Sequence, residues 1–518
     1  MMDKVHGVAA LKVREQGFYD GSRAFEGFSD VVGLPVDQMN FVIGQFTALV
    51  LAVLFRTTLR PGVVSPIARH TFGLVVGLCL GYFCFGKQAV HLAGLPAVCY
   101  IVMRTQDPRI VQRVVLTVAL GYLSCIHFYR QMYDYGSYSL DITGPLMVVT
   151  QKVISLAYSI HDGFTRREPE LTSLQRHQAV KIMPTTLEYF SYVLHFQALM
   201  AGPVIFYRDY IDFIHGTKLN GTSFSGFYDV PSKHAAEIVL EPAPTQIVLK
   251  KVIASLTCAI LFVVFIPIFP IQRLKEDEFL NSSTIYKIWY LMIATMMVRF
   301  KYYYAWLFAD AVCNNSGLGF NGLDAEGKPR WDLFSNIDVV KFETSLSLRE
   351  SIEAWNKGTN NWLRMVAYER AGQYRTLFTY ALSAVWHGFY PGYYLTFATG
   401  ALFTFASRTV RRSIRPYFLG SRNMKLLYDV ITFITTRLFM AYLTFSFVLL
   451  EFRPSVKIYL SMYLIPHLLS LAALLVLPVL PLGHVHRKRE IPTTNGQNNS
   501  RPTVAEPETH NGLSKKAD

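Results

Sequence analysis

Charged residues are scarce in this chain, since Asp, Glu, Lys and Arg make up 17% of its 518 positions. An average soluble domain carries roughly a quarter charged residues, so a single water-soluble core is excluded. Hydrophobic residues reach 51% and aromatic residues 14%. Several apolar runs approach or exceed the roughly 20 residues that a helix needs to cross a bilayer. The sequence therefore predicts an integral membrane protein.

The six cysteines lack the spacings of a zinc site or a redox pair, because no two form a CxxC and none is grouped with histidines. Most of them lie inside apolar runs. They are therefore predicted to be reduced packing residues, and neither a disulfide framework nor a metal or redox cofactor is expected.

Basic residues exceed acidic ones, because 50 Lys and Arg against 36 Asp and Glu give a formal charge of +14. In a membrane protein such an excess reflects cytosolic loops, and no nucleic-acid partner is expected. Residues 1–38 lack the compact apolar core of a cleavable signal peptide. Insertion is therefore expected to begin at the first spanning helix.

Apolar runs between residues 39 and 482 predict an all-α, polytopic domain of about eleven transmembrane helices. One such run is Leu187–Phe206, and Leu377–Phe405 is long enough for two passes. Several runs contain polar or helix-breaking residues, among them Gln151 and Lys152. Polar groups at membrane depth are costly unless they face protein or a watery cavity. The pattern therefore predicts an internal chamber.

Two less hydrophobic regions flank or interrupt these runs. Residues 313–375 contain several glycines, which predicts short amphipathic helices at the mouth of the chamber. Residues 483–518 begin with a basic cluster and are rich in Asn, Thr, Pro and Glu, a composition typical of a disordered cytosolic tail. Lys515 and Lys516 occupy the positions of a dilysine retrieval signal, which predicts a multi-pass protein of the endoplasmic reticulum membrane. The alternative is an ordinary solvated lysine pair.

His387 stands in an apolar, aromatic segment, preceded by Trp386 and followed by Gly388. Pro391 lacks the N–H that would bond the His387 carbonyl, so a helix through this segment is expected to open at the histidine. Neutral imidazole is suited to take a proton from a hydroxyl group during acyl transfer. On position alone, a hydrogen-bonded core histidine is the commoner alternative.

A second group of candidate residues lies in the polar stretch from Trp355 to Arg364. If this stretch is helical, Asn356, Thr359 and Leu363 share one face and present amide and hydroxyl groups beside tryptophan rings. Taken alone, the stretch better fits an interfacial amphipathic helix that tryptophans anchor at headgroup level.

Together the two patterns resemble the membrane-bound O-acyltransferase family, and within it the lysophospholipid acyltransferases. That branch carries a Glu upstream of Trp-Asn-x-x-Thr-x-x-Trp, and a Trp-His-Gly followed by Pro-Gly-Tyr and an aromatic residue. The similarity extends over residues 37–482 and is closest to the members that act on lysophosphatidylserine and lysophosphatidylethanolamine. The matching positions are Glu343, Trp355, Asn356, Thr359, Trp362, Trp386, His387, Gly388, Pro391, Gly392, Tyr393 and Phe397.

The resemblance implies transfer of a fatty acyl group, such as oleoyl, from acyl-CoA to the free glycerol hydroxyl of a lysophospholipid. The acceptor would be lysophosphatidylserine, lysophosphatidylethanolamine or lysophosphatidylcholine, in phospholipid remodelling, and acyl-CoA would be a consumed co-substrate. His387 would be the general base, while Asn356 would position the thioester or hydroxyl, or donate to the oxyanion. Substrate-binding positions would be Trp355, Thr359, Trp362, Glu343, Trp386 and Ser383. Lys357, Arg364 and Arg370 would either meet the CoA phosphates or form a solvated basic face.

Two alternatives stay open at this point. A transporter also places polar residues within broken helices, although the sequence shows no paired half-sequences. The same chemistry could instead act on a sterol, a diacylglycerol or a protein. Headgroup preference, acyl-chain preference and oligomeric state are not determined by these patterns.

Overall fold

The computed structural model describes residues 19–136, 140–217 and 242–480, and the regular elements within these ranges are helices. The strand-like pairings there are two isolated β-bridges, Pro61 with Val64 and Leu323 with Pro329. The predicted all-α class is therefore confirmed. Residues 1–18 and the predicted tail at 483–518, with its dilysine signal, lie outside the described residues.

Local capping defines where several N-terminal helices begin. The Ser65 hydroxyl accepts a hydrogen bond from the Ala68 N–H, and Pro66 occupies the first turn of the helix that follows. Thr185 and Glu188 form a reciprocal capping box at another helix start. Up to residue 217 the described α-helices are α1 Glu26–Val32, α2 Val36–Thr58, α3 Pro66–Phe85, α4 Val90–Thr105, α5 Val111–Tyr133, α6 Thr143–Thr165, α7 Ser173–Gln178, α8 Thr186–Leu194 and α9 Tyr207–His215.

The second half of the described chain alternates long helices with a run of very short ones. The short helices, between residues 339 and 363, lie in the region predicted to form them, and a π-helical turn, Arg364–Tyr368, continues the last of them. From residue 242 the described α-helices are α10 Thr245–Phe265, α11 Asp277–Asn281, α12 Thr284–Asn315, α13 Val339–Thr344, α14 Leu348–Ala354, α15 Lys357–Leu363, α16 Arg375–His387, α17 Pro391–Ile414, α18 Arg422–Leu449, α19 Phe452–Ser461 and α20 Ile465–Val476.

Several of these helices are long and apolar enough to cross a membrane. Helices α19 and α20, which meet at a bend of 73°, would together make one further span. The outward side chains of α10 include the exposed residues Leu249, Ile253 and Ile260, as expected of a face that meets lipid. The chain is therefore a multi-pass membrane protein, while the total of eleven spans stays a prediction. The five spans that satisfy length and composition individually are Val36–Thr58, Pro66–Thr105, Val111–Tyr133, Thr245–Phe265 and Arg422–Leu449.

The predicted span Leu187–Phe206 is wrong as a continuous helix. Helix α8 ends at Leu194, and the chain then passes through turns and irregular backbone before α9 begins. Pro203 cannot donate a helical hydrogen bond. A Cβ atom at Gly202 would lie 2.2 Å from the Ala198 Cα, so the backbone folds back tightly where a helix would have run straight.

Helix α6 is enclosed by protein, since 16 of its 23 residues are buried. Its Lys152 ammonium donates to the backbone carbonyls of Tyr192 and Val193 at 3.3 and 3.1 Å. Its Asp162 carboxylate pairs with Arg370 at 2.5 Å. The two buried charged side chains of this helix are thus hydrogen-bonded or paired inside the protein, as buried charges must be. All six cysteines are free thiols, as predicted.

Candidate active site

A cavity of about 2640 Å³ lies among α6, α12 and the helices that follow residue 336. Ligand pockets for drug-sized molecules occupy roughly 300–1,000 Å³, so this cavity has room for a molecule with a long acyl chain. The predicted residues that line it are His387, Asn356, Ser383, Trp386, Trp355 and Thr359.

His387 is the last residue of α16, and Pro391 is the first residue of α17. The predicted opening of the helix at the histidine is therefore confirmed. Gly388 makes the turn with φ +110°, a backbone conformation that residues with a side chain rarely adopt. A Cβ atom there would also lie 3.0 Å from the ring of His127. Only glycine fits this position, and it fixes where the imidazole points.

The hydrogen bond at the Nδ1 atom of His387 defines which ring nitrogen carries the proton. Nδ1 lies 2.7 Å from the backbone carbonyl oxygen of Ser383, one turn earlier. A carbonyl oxygen only accepts hydrogen bonds, so Nδ1 is the protonated nitrogen of the neutral ring. The Nε2 lone pair is then available to take a proton from a substrate, as a general base requires.

Aromatic side chains surround the His387 ring on several sides. The ring centroids of Phe397 and Phe447 lie 5.0 and 5.2 Å from it, and that of Tyr393 lies 5.7 Å away. These rings pack around the imidazole and restrict its orientation. Phe447 was missed by the sequence reasoning, because it belongs to α18 and has no motif of its own.

Asn356 does not share a helix with Thr359 in the way that the sequence predicted. It adopts a left-handed conformation, with φ 45° and ψ 55°, and α15 begins only at the next residue. Asparagine tolerates this conformation better than most residues with a side chain. Its side chain makes no capping hydrogen bond to the described helix that follows, and the residue borders the cavity.

Two other asparagines hold this turn in place. The backbone N–H groups of Lys357 and Gly358 donate to the carbonyl and side-chain oxygens of Asn336, at 2.8 and 2.9 Å. The Asn360 side-chain amide donates to the carbonyls of Ile352 and Trp355, at 2.6 and 2.7 Å. The strained conformation of the neighbouring Asn356 is therefore maintained by bonds on both sides of it. Asn336 carried no recognisable signal in the sequence, because it acts from a separate loop.

Helix α6 makes a hydrogen bond to each of the two predicted motifs. The Gln151 amide donates to the Thr359 hydroxyl at 3.0 Å. One turn earlier, the Met147 carbonyl accepts a hydrogen bond from the Trp386 indole at 3.1 Å. The rings of Trp362 and Trp386 are 5.9 Å apart. Because consecutive turns of one helix are about 5.4 Å apart, these bonds place the two motifs side by side.

Glu343 and Trp362, both predicted to bind substrate, are absent from the described lining of the cavity. Trp362 is fully buried. The Glu343 carboxylate pairs with Arg299 at 2.9 Å and Arg437 at 3.3 Å, and accepts a hydrogen bond from the Tyr303 hydroxyl at 2.6 Å. Both residues support the helices that carry the lining. That either residue contacts a substrate stays a prediction.

The basic residues predicted to meet CoA phosphates separate into two groups. Lys357 and Arg364 line the cavity. Arg370 instead makes a two-pronged ion pair with the buried Asp162, at 2.9 and 2.5 Å, and is not among the lining residues that the structure describes. Further lining arginines, which the sequence reasoning did not single out, include Arg375, Arg408, Arg411 and Arg412.

Comparison with known proteins identifies the family. The model of the membrane-bound O-acyltransferase family matches residues 128–449, which contain both motifs. The chain belongs to this family. The resemblance drawn from the motifs is thus confirmed, and the transporter alternative is set aside in favour of an acyltransferase.

Curated relatives in this family cover nearly the whole chain. A protein named lysophospholipid acyltransferase 6, from Drosophila melanogaster, is 56% identical over 95% of this chain and 67% of its own length. Membrane-bound glycerophospholipid O-acyltransferase 1, from Homo sapiens, is 40% identical over 93% of this chain and 97% of its own length. A lysophospholipid acyltransferase from Schizosaccharomyces pombe is 33% identical over 87% of this chain and 88% of its own length.

Proposed function

We propose that this protein is a lysophospholipid O-acyltransferase that moves an acyl group from acyl-CoA to the free glycerol hydroxyl of a lysophospholipid, and that the cavity is its reaction chamber. The observation that carries the proposal is the His387 ring, whose Nδ1–H is committed to the Ser383 carbonyl while the residue borders the cavity. The names of the relatives point to the same acceptor class.

In the proposed reaction the Nε2 atom of His387 takes the proton from the acceptor hydroxyl as its oxygen attacks the thioester carbon. A tetrahedral intermediate forms, and the Asn356 amide donates a hydrogen bond to its oxyanion or orients the carbonyl before attack. The carbon–sulfur bond then breaks, and the imidazolium returns its proton to the departing thiolate. The products are the diacyl phospholipid and free CoA, with no covalent acyl-enzyme.

The charge of the lining supports a thioester donor that carries phosphates. Lys357, Arg364 and Arg375 border the cavity, and Arg408, six residues before the end of α17, lies on the same lining. Arg364 is partly engaged by Glu369 at 2.8 Å. Guanidinium groups bind phosphate oxygens with two parallel hydrogen bonds, so this end of the cavity suits the nucleotide part of CoA.

The proposal places the protein in the endoplasmic reticulum membrane, with its C-terminal tail in the cytosol. The support is the basic cluster and the lysine pair of the tail. Acyl-CoA would then approach from the cytosolic side.

The deciding experiment measures transfer of labelled oleoyl from its CoA thioester to a panel of lysophospholipids, by membranes that contain either the wild type or His387→Ala. The expected result is phospholipid product that falls by roughly 100- to 10,000-fold in the variant, the usual contribution of a general base. His161→Ala is the matched control, because the His161 Nδ1 also lies 2.9 Å from a backbone carbonyl but the residue is not part of the described lining.

Product that forms equally in His387→Ala would refute the assigned role of the histidine. If no lysophospholipid yields product but a sterol, a diacylglycerol or a peptide does, the proposed acceptor class is wrong. The assignment to the family would be unaffected.

A further inference from the structure

A second group of polar side chains lies outside the acyl-transfer cavity. His70 is in the second turn of α3, Glu188 is the third residue of α8, and His215 is the last residue of α9. One nitrogen or oxygen atom from each lies within 4.8 Å of the others. None of the three borders the cavity as described. We call them the His70–Glu188–His215 cluster.

His70 is oriented so that one ring nitrogen faces the cluster with a lone pair. Its Nδ1 atom lies 2.6 Å from the Ser191 hydroxyl, and that hydroxyl donates its single proton to the Glu188 carbonyl at 3.1 Å. With that proton donated to the carbonyl, the hydroxyl accepts from the Nδ1–H of His70, and Nε2 is the unprotonated ring nitrogen. The side chain is only 3% exposed, and Nε2 has no hydrogen-bond partner among the described residues.

An unpaired nitrogen lone pair in a buried position is costly, and few native proteins tolerate one without a reason. A metal ion would satisfy it. In metal sites the second ring nitrogen of a ligating histidine is usually held by a hydrogen bond, as the Ser191 hydroxyl holds Nδ1 here.

The other two side chains are also suitable ligands. The Glu188 Oε2 atom accepts hydrogen bonds from the N–H and hydroxyl of Thr185, at 2.7 and 2.9 Å, and these are the bonds that the described residues make to this carboxylate. Oε1 is thus the oxygen left for an ion. The ring of His215 lies 6.4 Å from that of His70. Glu188 and His215 are half-buried.

We propose that the His70–Glu188–His215 cluster binds one divalent transition-metal ion, of which Zn²⁺ is the reference case. Two imidazoles and one carboxylate are a common zinc ligand set, with water in the fourth position. Metal–ligand bonds of roughly 2.1 Å in a tetrahedron place the donor atoms about 3.4 Å from one another. The three side chains would therefore move closer together when the ion binds. The ion would join α3 to α8 and α9, which follow it by about a hundred residues in the sequence.

The test uses full-length protein purified in detergent, stripped with a chelator and then titrated with Zn²⁺. Bound zinc is measured by mass spectrometry, and Co²⁺ is used as a visible-absorption probe of the coordination. The expected result is about one zinc per wild-type chain and tetrahedral cobalt bands. Zinc is also expected to raise the midpoint of thermal unfolding, because it binds the folded state.

Glu188→Gln is the most informative variant, because glutamine still completes the capping box of α8 but removes the anionic ligand. It is expected to weaken zinc binding at least about tenfold, and His70→Gln to abolish it. His161→Ala, outside the cluster, should bind as the wild type does. Monodisperse elution and retained acyl transfer show that each variant is folded.

Two results would overturn the proposal. One is wild-type protein that holds no more zinc than His70→Gln. The other is zinc binding that Glu188→Gln leaves unchanged. Neither result bears on acyl transfer at His387, because that site lies in the separate cavity.

Discussion

Replacing Gly388 with alanine tests whether the turn after His387 sets the position of the imidazole. At φ +110° and ψ −163° the backbone lies in a region used almost solely by glycine, and forcing a side chain there costs about 1–3 kcal/mol. The new Cβ atom would lie 3.0 Å from the Cγ and Nδ1 atoms of His127. The His127 ring must therefore move, which would lengthen or break its 3.1 Å hydrogen bond to the Trp386 carbonyl. Such a bond contributes about 1 kcal/mol to stability.

The combined cost of Gly388→Ala is therefore about 2–4 kcal/mol, taken as the sum of backbone strain and one lost hydrogen bond. If the backbone relieves this strain by shifting, His387 shifts with it. A displacement of about 1 Å in a catalytic group can lower the rate roughly 100-fold. We expect kcat/KM for acyl transfer to fall by about this factor, with a lower midpoint of thermal unfolding in detergent.

Gly121→Ala is the matched control for Gly388→Ala. Gly121 lies within α5, and a Cβ atom there would meet nothing within 4 Å. Alanine in a helix is favoured over glycine by about 1 kcal/mol, so this variant should keep its activity and be at least as stable as the wild type. Wild-type kcat/KM and stability in Gly388→Ala would refute the reasoning, because neither the strain nor the contact with His127 would then be real.

Three further predictions concern the neighbours of the reacting groups. Asn356→Gly and Asn356→Ala should both lower kcat at least about tenfold if the amide acts on the substrate, whereas activity retained by the glycine variant would mean that only the left-handed backbone matters. Gln151→Leu and Thr359→Val should each lower kcat/KM, and the double variant should lose less than the sum of the two, because both remove one hydrogen bond; strict additivity would contradict a direct coupling. Glu343→Gln should destabilise the protein by on the order of 3 kcal/mol, since it leaves the charge of Arg437 without its carboxylate partner. KM for either substrate should change little. A changed KM with unchanged stability would instead indicate that Glu343 contacts a substrate.

Several conclusions could be reached from the sequence because they rest on properties of short stretches. Apolar runs of sufficient length identify membrane helices whatever their partners are, since the bilayer sets the length that is required. The break at Pro391 follows from the missing N–H of proline. The motifs around Asn356 and His387 carry the family resemblance, because each lies within a dozen or so residues of continuous sequence.

Local sequence patterns gave wrong predictions where the backbone departs from a regular helix. The periodicity that placed Asn356 on one helical face with Thr359 gave no sign of the left-handed turn, because Asn336 stabilises that turn from another loop. The helix predicted over Leu187–Phe206 ends early for a similar reason, since the chain folds back closely at Gly202.

What the tertiary structure alone decided is which distant groups meet. The Nδ1 proton of His387 could be assigned only once the Ser383 carbonyl was located beside it, and the pairing of Glu343 with Arg299 and Arg437 joins helices that no sequence motif connects. His70 and Glu188 are more than a hundred residues apart in the chain, so no spacing rule could connect them. Sequence patterns reflect local backbone geometry and the length that a helix needs to cross the membrane. A chemical site instead depends on packing between helices that are distant in the sequence.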